Sequence, residues 1–329
     1  MRKSKFQSPK RAPVIRFNLV KLLLCAVLFL SAGAAAAQTP VWSPSAGHTQ
    51  MPIWPGAAPD AQPAAGPEDA RGKPGDAMVD NVVQPTLTLY SPTGPNTGAA
   101  VVVFPGGGYK TLAIDLEGAE ACDWLTSKGI TCVLLKYRVP DSGPHWEASC
   151  DCQAQPKAPM ALQDAQRTVG LVRLHAAGWR IDPHKVGVLG FSAGGHMVAA
   201  ISTHFAQRAY APVDAADQES CRPDFAVAIY PGHLSLAANS VALNPDIESH
   251  ITADTPPTFL LQNEDDHVDR VEDSLSYYMG LKKAGVPVEM HLYAQGGHAF
   301  GLRPTGLPVS HWPALVETWL GALGVITAD

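Results

Sequence analysis

The stretch KVGVLGFSAGGHMVAA, Lys185 to Ala200, changes from a strand pattern to a helix pattern at one serine. Its first residues are an apolar run typical of a short buried strand, and the residues after Ser192 suit a helix. Ser192 lies between Gly190 and Gly194, where side chains would collide with neighbouring backbone in a sharp turn. The pattern G-x-S-x-G therefore predicts a tight strand-to-helix turn that exposes a serine, rather than an ordinary glycine-rich turn.

Strand-like and helix-like segments alternate on both sides of this turn. The predicted strands are TLTLY, AAVVVF, TCVLLKYR, KVGVLG, FAVAIY, TFLLQ and VEMHLY. The predicted helices are residues 117–128, the segment MALQDAQRTVGLVRLHAAGW, the segment after Ser192, and residues 274–284 and 312–323. Helices between strands imply crossover connections, so we expect an α/β fold with a mostly parallel central sheet and helices on both faces. Ligands in such sheets bind beyond the carboxyl ends of the strands.

The first 37 residues differ from the rest of the chain. They contain seven basic residues and no acid, and the apolar run LLLCAVLFLSAGAAAA ends in the small-residue site Ala35-x-Ala37. This pattern predicts a signal peptide, residues 1–37, and export to the periplasm or beyond. An uncleaved membrane anchor is disfavoured because the strongly apolar run is shorter than the ~20 residues that a span needs.

Composition suggests how the remaining chain is organised. Residues 38–81 are rich in proline, glycine and alanine, which predicts an irregular arm anchored by Trp42 and Trp54. Residues 82–329 would form the α/β domain. The whole sequence has a net charge of −6, and cleavage would make it more acidic. We therefore expect neutral small-molecule or saccharide substrates, with neither nucleic acid nor a membrane as a stable partner.

A second glycine-rich segment, VVVFPGGGYK, follows an early predicted strand. Its consecutive glycines can turn backbone N–H groups towards a developing oxyanion, so we predict that Gly107, Gly108 and the N–H of Ala193 form an oxyanion hole. A phosphate-binding loop is disfavoured because no Gly-Lys-Ser/Thr follows, and the dinucleotide fingerprint is absent. The sequence predicts no cofactor, and no Cys/His spacing predicts a metal site.

A serine nucleophile needs a base and a group that orients the base. The segment LLQNEDDHVDR follows one predicted strand and YAQGGHAFG follows the next, so an acid and His298 would meet Ser192 at one edge of the sheet. From the residues alone, Asp265 and Asp266 are both candidates for the acid. The acidic cluster of this segment could instead be a solvated loop or a cation site; its members are Glu264, Asp265, Asp266 and Asp269.

Two further residues are candidates for substrate contact. Tyr109 and Glu117 are expected at the mouth of the cleft, although Glu117 could equally be a helix-start residue that favours the helix dipole. Five cysteines follow the predicted cleavage site, and their pairing stays open: Cys122, Cys132, Cys150, Cys152 and Cys221.

These motifs together resemble the α/β-hydrolases grouped with esterases and lipases, especially exported bacterial proteins similar to acetyl xylan esterases. The resemblance covers nearly all of the chain after the predicted signal peptide and rests on PGGGY, LKYRVP, GFSAGGH, YPG, EDDHV, GGHAFGL and MPIWPGAAPDA. It implies Ser192 as nucleophile, His298 as base and Asp265, the first of the Asp-Asp pair, as acid. Pro105 stands where hormone-sensitive-lipase-like esterases have histidine, and the amino-terminal helical cap of those esterases has no counterpart in the predicted arm. Both departures favour an open cleft for short acyl groups on a polar, sugar-like alcohol.

The sequence thus predicts a serine esterase that removes acetyl-type groups, on carbohydrate such as acetylated xylan. A general small-ester carboxylesterase remains an alternative. A peptidase similar to prolyl oligopeptidase is less favoured because no propeller repeat is visible in the sequence. A non-catalytic binding protein that kept the fold is the third alternative.

Overall fold

The structure of the protein is a computed structural model that describes residues 41–64, 66–140, 146–147, 152–153 and 159–326. The chain divides into residues 1–38 and a compact unit, residues 39–329. The predicted signal peptide lies outside the described residues. Among those that are described, no helix has the length and apolar character needed to cross a bilayer.

A mostly parallel sheet forms the centre of the compact unit, as predicted. The strands, in chain order, are β1 (Thr49–Pro52), β2 (Asp69–Arg71), β3 (Met78–Asp80), β4 (Thr86–Tyr90), β5 (Ala100–Phe104), β6 (Thr111–Leu112), β7 (Thr131–Lys136), β8 (Trp146–Glu147), β9 (Cys152–Gln153), β10 (Val186–Phe191), β11 (Ala226–Ile229), β12 (Thr258–Asn263) and β13 (Val288–Tyr293). Within the described residues, eight strands pair in the order β1-β4-β7-β5-β10-β11-β12-β13. The six from β7 to β13 run parallel, whereas β1 and β4 pair antiparallel at one edge. β5, β7 and β10 to β12 are buried at every residue, as expected for strands covered on both faces.

Helices cover this sheet, and they connect its parallel strands. The α-helices are α1 (Glu120–Ser127), α2 (Pro159–Leu174), α3 (Ala176–Trp179), α4 (Ala193–Thr203), α5 (Pro245–Glu248), α6 (Val271–Lys283) and α7 (Trp312–Ala322). A π-helical turn (Asp115–Ala119) precedes α1, and short 3₁₀ turns form at Ala215–Gln218 and Pro308–His311. Trp124 of α1 packs edge-on against Trp312 of α7 with ring centroids 5.5 Å apart, and α2 packs against α4. The α/β-hydrolase architecture is therefore present.

The predicted arm is less irregular than its composition suggests. β1 joins the edge of the central sheet by pairing with β4, and β2, β3 and β6 form a separate three-stranded sheet. Both tryptophans are buried, and their indole N–H groups donate to carboxylates: Trp42 to Asp115 at 3.2 Å and Trp54 to Asp164 at 2.8 Å. Short edge strands that alternate with proline and glycine leave little periodicity to read, so the sequence did not reveal them.

One disulfide is present among the described cysteines. It joins Cys122 of α1 to Cys132 of β7, whose Cα atoms lie 5.1 Å apart. Cys221 is a buried free thiol. Cys150 lies outside the described residues. The structure therefore pairs Cys122 with Cys132, which the sequence left open, and this disulfide ties α1 to β7.

Candidate active site

Ser192 occupies a strained turn between β10 and α4. Its φ of 53° and ψ of −121° are rare for a residue with a side chain. A Cβ at position 190 would overlap the carbonyl oxygen of Gly194, and a Cβ at position 194 would overlap that of Phe104. Glycine at both positions lets the backbone segments approach each other this closely, so the structure contains the turn that the sequence predicts.

Ser192, His298 and Asp266 form a continuous hydrogen-bonded array. The Oγ atom of Ser192 lies 3.0 Å from Nε2 of His298, and Nδ1 of the same ring lies 2.7 Å from Oδ2 of Asp266. The other carboxylate oxygen of Asp266 accepts the backbone N–H groups of Val268 and Asp269 at 2.8 and 3.0 Å. These bonds hold the carboxylate still, so Nδ1 carries the proton and Nε2 is left to accept one from the serine.

The structure corrects the predicted acid, Asp265. Its Oδ1 atom accepts the backbone N–H groups of Gly296 and Gly297 at 3.0 and 2.8 Å, and it makes no bond to the imidazole. These bonds, that from Gly297 above all, lower the pKa of Asp265. Asp265 therefore anchors the turn that carries His298, while its neighbour Asp266 contacts the ring. Adjacent residues in the turn after β12 point to different sides, which the motif alone did not reveal.

The pKa of His298 is raised by the carboxylates around it. Burial opposes this and lowers it, but the hydrogen bond to Asp266 and the charge of Asp269 outweigh burial. The ring is therefore a stronger base than a solvated histidine. A histidine that must take a serine proton benefits from this arrangement, because the imidazolium that forms is stabilised.

The glycine-rich loop after β5 lies beside Ser192. Gly107 and Gly108 line the same cavity as the serine, with φ values of 128° and 64°. No partner for their N–H groups is found among the described residues. Ala193 is the first residue of α4, so its N–H has no acceptor within the helix and lies at the positive end of the helix dipole. All three predicted oxyanion donors are thus near the serine.

Glu117 supports this loop rather than standing open to a ligand. It is 2% exposed, Oε2 accepts the N–H of Gly106 at 2.8 Å, and Oε1 accepts the hydroxyl of Tyr230 at 2.9 Å. Burial raises its pKa. Glu117 lines the cavity, but both of its carboxylate oxygens already accept hydrogen bonds, so its contact with substrate stays a prediction. The π-helical turn that holds Glu117 points its side chain inward beneath the loop.

Tyr109 is also buried, in contrast to its predicted place at the cleft mouth. It is 1% exposed, and its hydroxyl lies 2.8 Å from Nδ1 of His196. Its φ of 58° lies in the left-handed region, which is uncommon for a residue other than glycine. Burial lowers the pKa of His196 to about 3, so this histidine is neutral and packs against Tyr109.

A cavity of about 430 Å³ opens in front of Ser192. Its lining residues are Met78, Gly107, Gly108, Thr111, Ala113, Leu116, Glu117, Ser192, His233, Val268, Asp269, His298 and Ala299. Met78 comes from β3 in the predicted arm. Burial, followed by the charge of His298, lowers the pKa of His233 to about 4, so its ring is neutral. The size of the cavity falls within the range of small-molecule sites.

Asp269 is a cavity residue that the sequence placed only in an acidic cluster. Its Oδ2 atom lies 3.0 Å from Oγ of Ser192 and 3.7 Å from Nε2 of His298. Burial raises its pKa to about 7. The spacing Asp266-x-x-Asp269 in the segment after β12 is the sequence signal that could have indicated two carboxylates near one imidazole.

One described group of side chains outside this cavity has metal-ligand chemistry. His204, Asp246 and His250 have ligand atoms within 4.8 Å of one another, at the C-terminal end of α4. Asp246 and His250 are exposed, and none of the three lines the cavity. This group therefore lies apart from Ser192.

The chain is similar to known esterases over much of its length. A family model described as BD-FAE matches residues 87–231. An acetylxylan esterase of Xylanibacter ruminicola is 29% identical over an alignment of 238 residues, which covers 65% of this chain and 43% of that protein. The chain spans less than half the length of the curated relatives that it matches.

Solved structures extend this similarity to the fold. The acetyl ester-xyloside bifunctional hydrolase from Caldicellulosiruptor lactoaceticus is 32% identical, with a TM-score of 0.66 over 88% of this chain and 99% of that one. Esterase 2 of Thermogutta terrifontis, 23% identical, shares the fold with a TM-score of 0.61 over 83% of this chain and 96% of that one. From the similarity to the first structure and the geometry around Ser192, the chain belongs to the α/β-hydrolase esterases, in a group that resembles acetyl xylan esterases.

Proposed function

We propose that the protein is a serine esterase that removes acetyl or similarly short acyl groups through an acyl-enzyme. The observation that carries the proposal is the array in which Oγ of Ser192 lies 3.0 Å from His298, and His298 lies 2.7 Å from Asp266. Such an array makes a serine nucleophilic at neutral pH. Family membership supports ester hydrolysis as its chemistry.

In the first half of the reaction, Nε2 of His298 takes the proton of Ser192 while Oγ attacks the ester carbonyl carbon. The carbonyl oxygen becomes an oxyanion, which the N–H groups of Gly107, Gly108 and Ala193 stabilise. The imidazolium then gives its proton to the leaving alcohol oxygen as the C–O bond breaks. The acyl group stays on Oγ.

Water completes the cycle by the same steps in reverse order. His298 takes a proton from the water, whose oxygen attacks the acyl carbon, and returns a proton to Oγ as the acid leaves. Asp266 stays ionised throughout and keeps Nδ1 protonated.

We propose a carbohydrate as the alcohol part, with acetylated xylan as the first polymer to try. The acetylxylan esterase and the acetyl ester-xyloside hydrolase named above support this choice. The cavity of about 430 Å³ has room for a sugar unit. Apolar residues in its lining, Met78, Leu116 and Val268, keep a general carboxylesterase as the second candidate.

The test measures acetate release from acetylated xylan, beside hydrolysis of an aryl acetate and an aryl octanoate. Ser192→Ala is the matched blank, and it should lose on the order of 10⁵-fold or more in kcat. Fast acetate release from the polymer with little octanoate hydrolysis would support the carbohydrate esterase. Hydrolysis of the aryl acetate alone would remove the carbohydrate and leave a small-ester esterase, and a Ser192→Ala variant with most of its activity would refute the mechanism.

We also propose that the protein is exported. The basic and apolar pattern of residues 1–37 supports this, and so does the disulfide between Cys122 and Cys132, since disulfides persist in oxidising compartments. Amino-terminal sequencing of protein recovered from the periplasm or medium should begin at Gln38. Recovery of the full-length chain only from the cytosol would contradict export.

A further inference from the structure

Asp269 is a buried carboxyl group to which the proposed mechanism gives no task. It is 6% exposed, lines the cavity and lies 3.0 Å from Oγ of Ser192. Ser192 has one hydroxyl proton, and in the reactive state His298 receives it. A carboxylate in that state lacks a hydrogen-bond donor on its cavity side, and burying such a group unpaired is costly.

The position of Asp269 is held from several directions. Its N–H donates to Asp266 at 3.0 Å, and its carbonyl oxygen accepts the side-chain amide of Gln262 at 2.6 Å. Gly232 lies against the carboxylate so closely that a Cβ there would overlap it. The side chain is thus built into the wall of the site, with its carboxylate at the cavity, rather than being one rotamer of a mobile surface residue.

The distances place this carboxylate on the alcohol side of the reaction. The leaving oxygen must lie within hydrogen-bond reach of Nε2 of His298, about 3 Å, to receive its proton. Oδ2 of Asp269 is 3.7 Å from the same nitrogen. The carboxylate and the leaving oxygen therefore lie around the same imidazole nitrogen, on the cavity side of His298. A hydroxyl on the carbon beside the esterified carbon is about one hydrogen-bond length from that oxygen and can reach Asp269.

We propose that Asp269 accepts a hydrogen bond from a free hydroxyl next to the scissile ester, so that the site selects monoesters of vicinal diols. Partially acylated sugar rings have this chemistry, whereas esters of simple alcohols and fully acylated rings lack the donor. The inference rests on the proposed esterase function and names the group that Asp269 recognises. Because burial raises the pKa of Asp269 to about 7, a substantial ionised fraction is present at neutral pH to accept this bond.

The experiment compares two esters that differ at one position: trans-2-hydroxycyclohexyl acetate and trans-2-methoxycyclohexyl acetate. Acyl migration in the first regenerates the same compound, so it does not disturb the assay. The readout is the ratio of kcat/KM for the two esters within each variant, because a loss common to both cancels. The methoxy ester cannot donate a hydrogen bond to the charged carboxylate, so the kcat/KM of the wild type should be about 10- to 100-fold higher for the hydroxy ester.

The variants separate hydrogen bonding from shape. Asp269→Leu has a similar size and no acceptor, and its ratio should fall to about 1. Asp269→Asn retains a neutral acceptor and should give a ratio between those of Leu and the wild type. Val268→Ala widens the cavity beside Asp269 without removing a hydrogen-bond acceptor, so it should change kcat/KM for both esters alike and keep the wild-type ratio. If Asp269→Leu does not fold, the wild-type and Asn ratios still decide.

The possible failures can be told apart. A wild type that hydrolyses an aryl acetate through Ser192 but shows a ratio near 1 would overturn the role of Asp269 and leave the esterase intact. An unchanged ratio in Asp269→Leu or Asp269→Asn would overturn it as well. Absence of Ser192-dependent hydrolysis of any acetate would instead refute the proposed function itself.

Discussion

The assignment of Asp266 rather than Asp265 to the histidine is tested by replacing each with asparagine. In Asp266→Asn the amide can keep accepting the N–H groups of Val268 and Asp269 through its oxygen, which leaves its NH₂ group facing Nδ1 of His298. That NH₂ donates, so Nδ1 must become the acceptor and Nε2 carries the proton. Nε2 can then no longer accept from Ser192.

The expected cost is large because the wrong tautomer stops proton transfer. Loss of the correct tautomer costs about 10⁴-fold in kcat in this kind of triad, which is about 5 kcal/mol of transition-state stabilisation. Asp265→Asn is the matched control, since an amide oxygen can still accept from Gly296 and Gly297, and it should stay within about tenfold of the wild type.

The assay is the initial rate on an aryl acetate, with a thermal melt of each variant to show that it is folded. A folded Asp265→Asn variant that loses about 10⁴-fold, beside an Asp266→Asn variant that keeps its activity, would refute the geometric argument. Equal, small losses in both would show that no carboxylate orients the imidazole.

Three further predictions follow from the same contacts. In Glu117→Gln the new amide NH₂ group must face one of two buried donors, the N–H of Gly106 or the hydroxyl of Tyr230, and that donor loses its acceptor. The free energy of unfolding, measured by urea titration, should therefore fall by about 1–3 kcal/mol. Unchanged stability would mean that Glu117 does not hold the loop. Replacing Cys122 and Cys132 together with alanine should lower the free energy of unfolding by about 3 kcal/mol, because the unfolded chain gains freedom, and no change would contradict a disulfide. Since His298 must be neutral to act and its pKa is raised, kcat/KM should fall as the pH drops through a value above about 6.5, and a midpoint below that would contradict the electrostatics.

The sequence was enough to predict the fold and the sharp turn that carries Ser192, the proposed nucleophile. Alternating apolar strands and helices require a parallel sheet, and the glycines around Ser192 leave few alternatives to a sharp turn after β10. The order of serine, acid and histidine along the chain predicted which strand ends would meet. These features depend on local chain geometry, which nearby residues determine.

The tertiary structure decided which side chains face Ser192. Asp265 and Asp266 are adjacent and chemically identical, and only the turn after β12 directs one to the histidine and the other to the backbone. Glu117 was a candidate for substrate contact or a helix-start acid, and in the structure it lies buried in the first turn of a π-helix, where its carboxylate accepts from Gly106 and Tyr230. The carboxylate of Asp269 lies beside Ser192 and packs against Gly232, which belongs to a different loop. The direction in which each side chain points at the site depends on contacts between segments that are far apart in the chain. The periodicity of the sequence contains no information about those contacts.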